Sequence, residues 1–181
     1  MHALTKSLLG VVAFACCFTA ASKDNFDRPE LKVPGSAEKL KIAFSDPVLW
    51  DGRRIPRIMQ CPGLGGQQSS SPSLMVSGIP DTAKSLIAFF ENPRANHNHG
   101  LVRVKDGRDG SSWLVPPIRA GASVNRLPKG VELFDGGNSW GKAYDSPCPA
   151  QGSWLYTITI YALDENDVVV SIGKREIGYA P

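Results

Sequence analysis

The run "WLYTITIYALD", Trp154 to Asp164, decides the fold. Tyr156, Ile158, Ile160 and Ala162 fall on one side of an extended chain, and Leu155, Thr157, Thr159, Tyr161 and Leu163 on the other. β-Branched and aromatic residues at period two predict a central strand, because such side chains pack well on a pleated, buried surface. Upstream, "KLKIAFSD" (39–46), "KSLIAFFEN" (84–92) and "GLVRVKDG" (100–107) read as strands, the last closed by Asp-Gly. Downstream, "DVVVSIGKREI" (167–177) adds another. Helical periodicity is scarce, and "IPDTAKSL" (79–86) allows at most a turn. Many short strands punctuated by Gly, Pro, Asn and Asp predict an all-β sandwich or barrel.

The chain of 181 residues opens "MHALTKSLLGVVAFACCFTAASKDNF". A positive head at Lys6, a 14-residue weakly polar run from Leu8 to Ala21 and the small residues that follow make a secretory-signal pattern. The run is shorter than the ~20 apolar residues of a membrane helix. We therefore read residues 1–21 as a signal peptide, 22–39 as a polar, proline-bearing lead-in and 40–181 as one domain, exported to the periplasm or the outside. A second reading attaches a lipid at Cys16, since "AFAC" loosely resembles a bacterial lipoprotein site. Export leaves Cys61 and Cys148, an even pair that is a disulfide candidate in an oxidising compartment. The alternative is two thiols. The full chain carries 20 basic and 17 acidic residues, and without Lys6 the balance is 19 against 17, or +2. No Lys- or Arg-rich block marks a nucleic-acid surface, and nothing after residue 22 is long and apolar enough for a transmembrane helix.

The stretch "ENPRANHNHG" (91–100) brings two histidines to one face of an extended segment. Zinc wants three or four ligands, and the sequence offers no obvious third, so no metal is assigned. A Gly-x-Ser-x-Gly elbow is absent, and "GGNSWG" (136–141) has the wrong spacing. Cys148 with His99 would make a thiol–imidazole pair only if both thiols stay reduced. "GLGG" (63–66) and "FDGGNSWG" (134–141) lack the lysine of a phosphate loop. No catalytic residue and no cofactor is assigned. The long loop "CPGLGGQQSSSPS" (61–73) is the densest connection, of a length that is more often functional than ornamental.

Taken in order, "IPRIMQC" (55–61), "SPSL" (71–74), "GIPDTAKSL" (78–86), "ENPRA" (91–95), "NHG" (98–100), "GGNSWGKAYDSPCPAQG" (136–152) and "LYTITIYALD" (155–164) resemble the motif series of the phosphatidylethanolamine-binding protein, or Raf kinase inhibitor-like, family in its bacterial form. The resemblance implies a Greek-key β-sandwich with few short helices and a small anion pocket at one end. Members bind phosphate, acetate or phospholipid head groups there, and several act on protein partners. It implies that Asn92, Arg94, His99, Tyr144, Ser146, Pro147 and Trp154 contribute to the pocket, with His97 a loop residue, and that Cys61 and Cys148 both approach the pocket end. Asn92 and Arg94 stand where the family has aspartates, and Trp154 where it has a second pocket histidine. A neutral Asn92 cannot hold His99 protonated, so the pocket loses cationic character unless Arg94 turns inward. The chain runs 17 residues beyond Asp164, so the family's C-terminal helical segment is expected to be short or absent. The function implied is a non-enzymatic binding protein for a small anion or phospholipid head group. The alternative is a protein-interaction or inhibitor module whose pocket is closed by Trp154.

Overall fold

A computed structural model describes residues 31–181 apart from 36, 65, 67–68, 139 and 150–151. The signal peptide and Cys16 lie outside these residues. The lead-in, read as 22–39, reaches the fold at its end, where strand β1 (Glu38–Lys39) joins a sheet.

The chain then gives β2 (Lys41–Phe44), β3 (Leu74–Ser77), β4 (Ser85–Asn92), β5 (His97–Val104), β6 (Arg108–Asp109), β7 (Ser112–Val115), β8 (Val131–Leu133), β9 (Trp154–Leu163) and β10 (Val169–Ala180). Only single turns of 3-10 helix interrupt them among the described residues, at Arg57–Met59, Pro62–Leu64 and Val124–Arg126. Six strands form one sheet in the order β1-β10-β9-β4-β5-β8, and four form a second in the order β2-β3-β7-β6. Within the large sheet, β4, β5 and β8 lie side by side and β9 returns to pair with β4, all antiparallel. That 4-1-2-3 order is of Greek-key type, with β6 and β7 diverted to the second sheet between β5 and β8. The expected all-β sandwich is what the chain forms.

The core between the sheets joins Ile42, Phe44, Leu74, Val76, Trp113 and Val115 to Leu86, Ala88, Phe90, Val102, Ile158 and Ile160. The large sheet is also covered on its outer face, where Ile87, Phe89, Leu101, Leu163 and Val169 are enclosed with help from Leu31 and Phe134. Burial on both faces explains why β4 reads "SLIAFF" without alternation: every residue of the strand is buried. The carboxylate of Glu91 is buried among these strands, paired with Lys174 Nζ at 2.9 Å and accepting from Thr157 Oγ1 at 3.3 Å. No helix among the described residues is long and apolar enough to cross a membrane.

Candidate functional site at one end of the sandwich

Strands β4 and β5 are joined by the turn 93–96. Asn92 Oδ1 accepts the backbone N–H groups of Arg94 (3.1 Å) and Ala95 (3.0 Å), and Asn96 takes φ 50°, a left-handed conformation that asparagine tolerates. The pairing of the two strands then slips. Phe90 faces Gly100 while Glu91 faces Asn98, so His99 is an extra residue in a β-bulge. By plain alternation His99 would share the outer face with Leu101. The bulge turns it inward instead, where its ring meets Tyr156 edge-on at 4.9 Å and His97 at 4.4 Å. His97 is thus the first residue of β5 and part of a cluster, which corrects its reading as a loop residue.

A second segment, Ala143–Ser146, runs beside the bulge. Gly100 makes room for it: a Cβ there would lie 2.5 Å from the Ala143 carbonyl oxygen. The Asp145 N–H donates to the His99 carbonyl, and His99 Nδ1 meets the Asp145 carbonyl oxygen at 3.1 Å. With that carbonyl as acceptor, Nδ1 carries the hydrogen and Nε2 is left bare. The Gly121 N–H donates to the Tyr144 carbonyl at 2.9 Å, fixing the segment's other side. Burial, and then His97 close by, push the His99 imidazole down to about 3, and burial lowers His97 as well against the pull of Asp145. Burial raises the Asp145 carboxyl, opposed by His97 and the Ser146 N–H. His99 is therefore neutral at pH 7, and the cause is its burial and the neighbouring His97. The carboxylate beside the two rings is Asp145.

The Cys61–Cys148 disulfide is formed, with Cα atoms 5.2 Å apart, and the Cys61 N–H donates to the Pro147 carbonyl at 3.0 Å. The bridge pins the start of the long loop to the end of the 143–148 segment. Between them lies an open cleft of about 310 Å³ lined by Pro62, Gly66, Ser69, Arg119, Ala120, Gly121, Asp145 and Ser146.

The residues nominated from sequence separate into groups. Asn92 and His99 come together, with Tyr156 between β9 and the bulge. Burial raises the Tyr156 phenol, which the Asn92 amide and the Cys148 N–H pull back in part, yet Asn92 Nδ2 lacks a partner in hydrogen-bond geometry. Ser146 and Pro147 line the buried strap next to the cleft. Tyr144 is enclosed, its ring edge-on to Phe90 at 5.1 Å, so it packs beneath the site. Arg94 is exposed on the 93–96 turn and is not among the residues lining the cleft. Trp154 starts β9, half-buried against the core, and does not line the cleft either. Sequence reasoning missed Asp145, Arg119 and Trp140, whose ring tilts against His97 at 5.0 Å. Asp145 had a signal, since it directly precedes the nominated Ser146 and Pro147. Arg119, in "PPIRAGA" (116–122), had none.

Comparison with known proteins agrees with this architecture. Residues 45–180 match the family model described as phosphatidylethanolamine-binding protein. An UPF0098 protein of Pyrococcus horikoshii is 25% identical over 142 residues, 73% of this chain and 64% of that protein. One from Chlamydia muridarum is 34% identical over 116 residues, 62% of this chain and 70% of that protein. The chain thus spans less than two thirds of the Pyrococcus relative it matches. Among solved structures, a Chlamydia trachomatis protein described as a phosphatidylethanolamine-binding protein homologue superposes with a TM-score of 0.53 at 21% identity, covering 80% of this chain and 99% of that one. E. coli YbcL, described as a member of the mammalian family, gives 0.54 at 16% identity, covering 78% and 97%. At such identities the two structures speak for the fold alone.

Proposed function

This chain belongs to the phosphatidylethanolamine-binding protein family, and from that premise we propose that it is an exported, non-enzymatic binding protein for a small phosphate-bearing head group. The observation that carries the reading is the cleft with Arg119 and Asp145 both in its lining and the Ser69 and Ser146 residues beside them. A guanidinium fork suits phosphate oxygens, and a carboxylate suits an ammonium. Phosphoethanolamine carries both charges. A bare dianion is a poorer fit, because Asp145 in the lining would repel it. Export is supported by the signal-like leader and by the compartment in which the Cys61–Cys148 bridge would persist. A pocket sealed by Trp154 has less support, since the cleft is open and Trp154 does not line it.

The test is thermal unfolding with phosphoethanolamine, ethanolamine and inorganic phosphate in turn. A ligand that binds only the folded chain stabilises it by about 2.7 kcal/mol at a hundredfold excess over Kd. We expect phosphoethanolamine to raise Tm most and Arg119→Ala to abolish the rise. No shift with any of the three would sink the reading and move attention to a protein partner.

A further inference from the structure

We propose that His97, His99 and Asp145 form a binding site for one divalent transition-metal ion of the zinc class, open on the side of the cleft that Asp145 and Ser146 line. One donor atom from each of the three residues lies within 4.8 Å of the others. In a tetrahedral zinc set the donors stand roughly 3.3 Å apart, given Zn–N and Zn–O lengths near 2.0–2.1 Å. Small side-chain rotations of the two half-buried members, His97 and Asp145, close that difference.

Three features distinguish this cluster from a chance meeting of polar residues. His99 is turned into it by a β-bulge that plain strand pairing would not produce. Its Nδ1 is tied to a backbone carbonyl, the partner that fixes the tautomer of a metal-bound histidine and leaves Nε2 as the donor. The ligand set is two imidazoles and one carboxylate, so a divalent ion would leave a net charge of +1, and mixed nitrogen and oxygen donors favour zinc-like ions over magnesium or calcium. Three protein ligands also leave the fourth position for water or an incoming oxygen. The bound ion would then supply, next to the cleft, the positive charge that neutral histidines do not.

Metal binding does not require the head-group ligand, and experiment separates the two. The protein, stripped with chelator and returned to metal-free buffer, is titrated with Zn²⁺ by calorimetry and with Co²⁺ by visible absorption. We expect one ion per chain, Co²⁺ d–d bands from nitrogen and oxygen ligands, and a higher Tm. His97→Gln and Asp145→Asn should each weaken Zn²⁺ binding by more than about tenfold, the least that even outer-shell changes usually cost. No stoichiometric binding at micromolar metal, or binding that both substitutions leave unchanged, would overturn the proposal. Phosphoethanolamine binding together with no Zn²⁺ uptake in the metal titration would remove the metal and leave the head-group reading. Zn²⁺ bound without any response to phosphoethanolamine would do the reverse.

Discussion

The interior between the sheets and the corner where β5 meets Ala143–Ser146 obey opposite rules. Inside, Leu86, Ala88, Phe90, Ile158 and Ile160 are enclosed and apolar, and their backbones are paired in continuous ladders. At the corner, Asn92, Asn98, His99 and Ser146 are buried too, but they are polar, the ladder is broken by a bulge, and Asn138 Nδ2 lacks a hydrogen-bond partner. A buried amide left unpaired costs about 1–3 kcal/mol. The contrast teaches where this fold draws its stability and where it gives some away. A departure from local consistency is expected at a functional site and must be offset elsewhere.

Removing support from the interior should show the largest effect. Phe90→Ala takes out a fully buried ring that also backs Tyr144, and should lower unfolding free energy by about 3–5 kcal/mol in urea denaturation. A loss under about 1 kcal/mol would mean that the core repacks freely, and the contrast would collapse.

The corner should declare itself through pH. His99 titrates at about 3 in the folded chain against 6.5 when unfolded. As pH falls, the unfolded chain takes the proton first, so the contribution is complete above pH 6.5 and is lost between 6.5 and 3, by about 1.4 kcal/mol per pH unit. His97, also lowered, adds to the loss, while the raised Asp145 carboxyl opposes it by taking its proton earlier in the folded state. Urea midpoints measured with chelator present should fall as pH is lowered below 6.5, and His99→Gln should flatten that slope. An unchanged slope in the variant would place the lost stability elsewhere.

Arg94→Ala gives the smallest effect. The side chain is exposed on a turn held by Asn92, so stability should change by less than about 0.5 kcal/mol and phosphoethanolamine binding should not change at all. Loss of binding in this variant would return the turn to the site, as the family resemblance implied.

What was legible in the sequence follows the same division. β4, β5, β9 and β10 announce themselves because long apolar or alternating runs have one physical meaning, and β2 because the run around it, Lys39–Asp46, alternates beyond the strand itself. β3, β7 and β8, at three or four residues each, are too short to carry a period, and their partners lie far along the chain. His99 was found through its place in the motif series, but its neighbours were not. The bulge depends on Gly100 letting Ala143 approach, and no window of sequence contains that contact. Arg94 could be nominated from sequence but not aimed, because charge can be read there and the direction of a turn side chain cannot.

The Greek-key return of β9 to β4 has a consequence in time. Ser85 pairs with Leu163 and Glu91 with Thr157, so the apolar run Leu86–Phe90 has its β5 neighbour early and its β9 neighbour only once the chain is available through Leu163. Pairings this distant are slow to form, and until they do an unprotected β edge is exposed to other chains. Cys148 precedes β9, so bridging it to Cys61 can draw in the far end of the connection before the last strands dock. Refolding of the reduced chain should therefore be slower than that of the oxidised one and more prone to aggregate as concentration rises.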